Sequence, residues 1–244
     1  MKSIIRLLPM LFSVIGLATG SGARTVPCYW RAGRAPSQTA SGTYKIFVHK
    51  KELGVEHFQL SSSDRTSALS SDGQVVTDGI GIRIKSSLTV GPTGPVHYSV
   101  ETGTGPAVRK YLIDFSGADA KATVESAGHS TERNIRLQKG FPVVLLDKGV
   151  WSQYRFLFMK YDMAEKGIQT FQAFVPVPAL KYLKAEVEFD KPVNYGSAKE
   201  KIPANRFFVR LGDALGLIAI VAPDGWPLSI EVPTKGIHVT LERD

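Results

Sequence analysis

The sequence predicts a mainly β protein: a large curved antiparallel sheet, a half-barrel, wrapped around one central α-helix, with a β-sandwich as the alternative. Three observations carry this reading. From Gly42 onward, apolar and polar residues alternate with a period of two in run after run, the mark of strands with one buried face. Turn signals rich in Gly, Pro, Asn and Asp separate the runs. A single segment near the middle shifts to helical spacing. The chain has 244 residues, 43% hydrophobic and 21% charged, enough for one large domain with a real core. This composition excludes a collagen-like repeat, a disulfide-rich miniprotein and a fully disordered chain, and one Cys excludes an intramolecular disulfide or a Cys-based zinc cluster.

In chain order, residues 1–23 read as a signal peptide. Lys2 and Arg6 precede an apolar stretch of 12 positions, Leu7 to Ala18, and small residues lead to a cut near Ala23. The stretch is shorter than the about 20 apolar residues that span a bilayer. The mature chain, carrying 28 basic and 22 acidic residues, keeps a net charge of +6. Residues 24–41, rich in Arg, Ser, Pro and Gly, read as a flexible lead-in. Cys28 there reads as an unpaired thiol, since Thr25-Val26-Pro27 is not a lipoprotein box.

Residues 42–244 are then a single antiparallel β domain. Tyr44, Ile46 and Val48 share a face, with Lys45 and His49 opposite. Ile80, Ile82, Ile84, Leu88 and Val90 form another, with Arg83, Lys85, Ser87 and Thr89 pointing away. Leu183 to Phe189, Trp226 to Val232 and Ile237 to Leu241 repeat the pattern. Turns are expected at Ser71-Asp72-Gly73, Gly91 to Gly94, Gly103 to Pro106, Ser116-Gly117 and Asn194-Tyr195-Gly196, and Ala222 to Trp226 has the strongest hairpin signal. About a dozen strands result by these criteria. The helix is placed near 147–162: Leu146, Val150, Trp151, Tyr154, Leu157, Phe158 and Tyr161 make an apolar stripe, with Asp147 as N-cap and Gly167 as the stop. So aromatic a helix must press against the apolar face of the sheet.

Catalytic signatures are absent: no G-x-S-x-G elbow, H-E-x-x-H helix, phosphate loop or EF-hand spacing occurs. Gly79-Ile80-Gly81 and Gly103-Thr104-Gly105 read as sheet bends. His49, His97 and His238 fall on polar strand faces, His57 lies beside inward Phe58 and Leu60, and His129 lies in a turn; they read as solvated rather than metal-binding. Glu186 and Glu188 share a strand face and Glu52 and Glu56 bracket a turn, so these too read as solvated. Asp114, among large apolar neighbours, is the acid of most interest, yet an outward strand position explains it. The basic residues are scattered, which reads first as solubilising charge, then as attraction to an anionic membrane or envelope surface, and not as nucleic-acid binding.

Three stretches carry a resemblance. Gly42-Thr43-Tyr44-Lys45-Ile46-Phe47-Val48 with Glu52-Leu53-Gly54-Val55-Glu56 resembles the opening hairpin of bacterial exported envelope families. Leu145-Leu146-Asp147 through Trp151-Ser152-Gln153-Tyr154 resembles their central helix, and Asp224 to Pro233 their late hairpin. These families are similar to the LolA/LolB lipoprotein-carrier half-barrel, a curved sheet over helical plugs, although one clear helix is expected here. The resemblance implies an envelope protein, periplasmic or extracellular, and it transfers no functional residue.

A dozen strands make an apolar face wider than the roughly 10 Å that one helix covers. The expected function is therefore non-enzymatic binding of an apolar ligand, a lipid or lipid-linked molecule. Its lining is drawn from Ile82, Ile84, Leu88, Trp151, Tyr154, Phe158, Phe174 and Trp226. No catalytic residue, metal or cofactor is assigned. The rival readings are a structural or adhesion module with a closed core, and a β-sandwich enzyme acting on envelope carbohydrate.

Overall fold

The computed structural model describes residues 38–77, 79–117, 119–138, 140–197, 200–213 and 215–243. The expected signal peptide and Cys28 lie outside them. The strands are β1 (Gln38–Val48), β2 (Lys51–Ser62), β3 (Ser67–Thr77), β4 (Ile80–Gly91), β5 (Gly94–Gly103), β6 (Arg109–Ser116), β7 (Asp119–Ser126), β8 (His129–Arg136) and β9 (Val143–Leu145). After the helix α1 (Tyr154–Lys160) come β10 (Ile168–Val175), β11 (Lys181–Gly196), β12 (Lys201–Leu211), β13 (Leu215–Val221), β14 (Pro227–Val232) and β15 (Ile237–Arg243).

All fifteen strands belong to one sheet, in the order β8 to β1, then β15 down to β9. Each neighbouring pair is antiparallel except β9 with β10. Chain neighbours pair as hairpins from β1 to β8 and from β10 to β15, β9 joins β10 in parallel, and a single long-range pairing, β1 with β15, joins the two halves. A flat sheet of this width would leave its apolar face in water, so it curls. Phe115 of β6 meets Phe174 of β10 edge-on at 5.6 Å, and the Tyr182 hydroxyl donates to the Arg136 carbonyl at 2.8 Å. The two ends of the sheet thereby touch, and Phe171, Gln172, Ala173 and Phe174 are all buried. The edges are blunted in two ways. Strand β8 is almost wholly exposed and carries Glu132, Arg133 and Arg136, while β9 is three residues long.

The alternation places the core as expected. Tyr44, Ile46, Leu88, Ala185, Val187, Ile230 and Val239 are at most 3% exposed. His238 is exposed on the outer face, its Nε2 3.1 Å from the Ser229 hydroxyl. His238→Ala should therefore change the stability by no more than about 0.5 kcal/mol in a denaturation titration. A large loss would mean that the β15 phase is inverted.

Several expectations are corrected. The lead-in does not run to residue 41, because β1 starts at Gln38 and pairs with Ser62. Backbone pairing extends a strand past its apolar pattern. Among the described residues there are fifteen strands rather than a dozen; β8 and β9 carry no alternation to reveal them. Ser71-Asp72-Gly73 lies inside β3, and Asn194-Tyr195-Gly196 closes β11. Glu52 and Glu56 both lie in β2; the turn is at His49 and Lys50, with φ of 49° and 68°.

The helix is shorter than 147–162 and Asp147 does not cap it. It runs from Tyr154 to Lys160, with Gln153 at the N-cap position. Gly149, at φ 83°, breaks the backbone before it, and a Cβ there would lie 2.8 Å from Ile84 Cδ1. Residues 147–156 instead make tight three-residue turns, such as Tyr154 N–H to the Trp151 carbonyl. The stripe still packs as expected: Leu146, Val150, Trp151, Tyr154, Leu157, Phe158 and Tyr161 are all buried against the sheet. Residues 147–161 thus form a plug inside the curl, only half of it helical.

Candidate functional site: a polar-bolted plug inside the curled sheet

The plug is held by carboxylates that point inward. Glu56 follows the phase of Phe58 and Leu60 in β2 and is 1% exposed. Its Oε2 accepts the Trp151 N–H at 2.6 Å, and its Oε1 accepts the Ser152 hydroxyl at 2.5 Å; the Ser152 N–H points at both oxygens, 3.4 Å from each. Trp151 and Ser152 lie just ahead of the helix, whose N-cap position is Gln153, so the carboxylate ties the approach to the helix onto β2. Burial pushes the Glu56 carboxyl up to about 7, against the pull of the donors around it.

Asp147 is the second bolt. Its Oδ2 accepts the Tyr98 hydroxyl at 2.7 Å, and its Oδ1 accepts the N–H groups of Lys148 at 2.8 Å and Val177 at 3.2 Å. Its own N–H donates to Gln153 Oε1 at 2.7 Å. Burial raises its carboxyl to about 6. Between the bolts lies a buried polar strip, in which the Ser71 and Ser86 hydroxyls are 2.9 Å apart.

Beside it runs a stack of rings. The Arg155 guanidinium lies 4.9 Å from the Trp226 ring centroid, Trp226 stacks on Phe58 at 4.3 Å, and Phe58 meets Tyr44 at 5.5 Å. The Tyr44 hydroxyl donates to the Pro227 carbonyl at 3.0 Å. Among the described residues, the buried side-chain polar atoms without a hydrogen-bond partner are Trp151 Nε1, Gln153 Nε2, Arg155 Nε and both polar atoms of Gln172. Three of these residues lie within five positions of the plug.

The eight expected lining residues sit in or against one core. Ile84, Leu88, Trp151, Tyr154, Phe158, Phe174 and Trp226 are at most 9% exposed, and Ile82 is half-buried at the margin. Trp151 stacks on Tyr154 at 5.9 Å, Phe158 meets Phe207 at 5.3 Å, and Phe174 packs with Phe115 and Tyr182 at the closing seam. Trp151, Tyr154 and Phe158 belong to the plug itself, and the other five line the sheet side of the same core.

Sequence reasoning missed the polar members. Glu56 was legible by phase, two residues from Phe58. Arg155 was legible by spacing, four residues after Trp151 and three before Phe158. Asp114 is outward as expected, bonded at 2.7 Å to His97 on the open outer face, their side chains 71% and 44% exposed. The outer face also carries two shallow depressions. One, of about 800 Å³ across β1 to β5, is polar and includes His57, Asp72, Lys85 and Glu101. The other, of about 430 Å³ on β10 to β13, includes Ile168, Phe208 and Ile218. No group of three or more potential metal ligands occurs among the described residues.

Neither a protein-family model nor a curated protein sequence matches the chain. In structure it is similar to a beta-barrel-like protein of the domain of unknown function DUF1849 from Brucella abortus. That match has a TM-score of 0.56 at 8% identity and covers 85% of this chain and 95% of the other. A DUF1089 family protein from Pseudomonas aeruginosa aligns with a TM-score of 0.49 at 12% identity, over 74% of this chain and 90% of that one. At such identity the first likeness speaks of fold alone. The class is thus a β-barrel-like domain, a large open curved sheet closing on an internal plug.

Proposed function

We propose that the chain is an exported, non-enzymatic binding protein for an apolar ligand, a lipid or lipid-linked molecule, in the bacterial envelope. One observation carries the reading: among the described residues, three of the five unpartnered buried polar side-chain atoms lie on the plug, within residues 151–155. A core segment with unmet donors, held by two carboxyls raised toward neutrality, is suited to yield to a ligand. Displacing residues 147–161 would uncover Leu88, Phe207 and Trp226 of the sheet side. The carboxylates are committed to bolting the plug, which favours binding over catalysis. The resemblance to the LolA/LolB half-barrel and the basic N-terminal segment support the envelope location. The surplus positive charge supports attraction to an anionic membrane surface.

The near-complete burial of the eight lining residues favours a second reading, a structural module with a permanently closed core. Native mass spectrometry of residues 24–244 purified from a bacterial envelope fraction separates the two. An added mass that organic solvent extracts as lipid is the expected result. A bare mass, unchanged after incubation with mixed lipids, would overturn ligand binding in favour of the closed module.

A further inference from the structure

We infer that Arg155 is an anchor for one anionic group, carboxylate or phosphate, on a ligand that reaches the plug beside Met159. The inference deepens the apolar-ligand reading and rests on it, by specifying an anionic amphiphile. Arg155 is 7% exposed, and a guanidinium that deep is ordinarily paired with a carboxylate. Its five N–H donors meet little here. One donates to the thioether of Met159 at 2.8 Å, a weak acceptor, while Nε has no partner and the plane rests on Trp226. Asp224, the carboxylate whose charge Arg155 feels, is engaged by Arg243 at 3.0 Å.

The surroundings allow access. Met159 is 40% exposed, and the flanking Asp224 and Arg243 side chains are 49% and 44% exposed. Gly225, at φ 85°, leaves Met159 its space, since a Cβ there would lie 2.7 Å from Met159 Cγ. Methionine is flexible and easily repacked. Moving it aside opens the guanidinium to an anion, which would gain charge-assisted bonds that sulfur does not provide. An alkyl chain behind the anion would take the space that Met159 leaves beside Gly225.

The test titrates residues 24–244 with dodecanoate, dodecanol, dodecyl phosphate, acetate and inorganic phosphate, reading binding by calorimetry and Trp fluorescence. The same titrations use Arg155→Met and Arg155→Gln. Dodecanoate and dodecyl phosphate should bind the wild type, and both variants should weaken them by at least about tenfold while leaving dodecanol unchanged. Arg155→Met should also unfold at an equal or higher denaturant concentration, because it removes an unpaired buried charge. Equal binding of dodecanoate and dodecanol, unaffected by either variant, would overturn the anchor and leave the apolar-ligand reading standing. Arg155-dependent binding of phosphate or acetate as tight as that of the dodecyl anions would keep the anchor but overturn the amphiphile. No binding of any probe to the wild type would overturn both readings. If Arg155→Met fails to fold, the residue is structural and the anchor falls, unless Arg155→Gln folds and shows the selective loss.

Discussion

Replacing Trp151 by alanine is expected to cost about 3 kcal/mol of folding stability, within the about 3–5 typical of buried aromatic truncations. The ring lies at the start of the plug, 9% exposed and stacked on Tyr154. Deleting it opens a cavity between plug and sheet that a bolted segment cannot collapse to fill. The lower end of the range applies because Nε1 has no partner, so its removal offsets part of the loss. A domain with about 5–15 kcal/mol in hand would lose a large share of it. Urea unfolding monitored by far-UV circular dichroism measures the change; a loss below about 0.5 kcal/mol would sink the packing of the plug on the sheet.

The second large effect belongs to Glu56. Glu56→Ala would strip an acceptor from the N–H groups of Trp151 and Ser152 and from the Ser152 hydroxyl. Unmet buried donors cost about 1–3 kcal/mol each, and with some water entering the gap the total should be about 3–5. The carboxyl also sets a pH dependence whose sign follows from burial. Inside the protein it holds its proton up to about 7, whereas the unfolded chain releases it near the usual carboxylate range. Between those limits the folded state binds more protons, so stability falls as pH rises, and it levels off above the raised value. Asp147, raised to about 6, contributes the same sign over a lower window. Each accounts for at most about 3 kcal/mol, at about 1.4 per unit. Asp72, held low by Arg83, and Glu186, held low by Lys184, act oppositely and only in more acid solution. Denaturation midpoints should therefore decline from about pH 4.5 to about 7, and Glu56→Gln should flatten the upper part of that slope. Stability rising across this window would refute the buried-carboxyl account.

Three stretches that are far apart in the chain meet through these contacts. Glu56, in the opening hairpin motif, bonds Trp151 and Ser152 of the central helix motif, and Trp226 of the late hairpin motif stacks on Phe58 next to the first. The three stretches meet around the plug, 95 residues of chain separating Glu56 from Trp151.

What the sequence determined by itself is the β class, the inward face of most strands and the buried stripe of the plug. Those properties are local, because side-chain direction alternates along a strand and recurs every 3.6 residues on a helix. It also marked Tyr44, Leu88, Val187 and Ile230 as core, since nothing distant was needed to know their phase. The tertiary structure alone decided the β1–β15 junction, the curl that brings Phe115 to Phe174, and the partners that surround Glu56, Asp147 and Arg155. Whether an ionisable side chain is buried depends on partners far away in the chain, and no local period encodes them. The helix was likewise shortened by its surroundings, as Gly149, at φ 83°, lies where a Cβ would meet Ile84 Cδ1 at 2.8 Å, and the segment before Tyr154 is turned rather than α-helical.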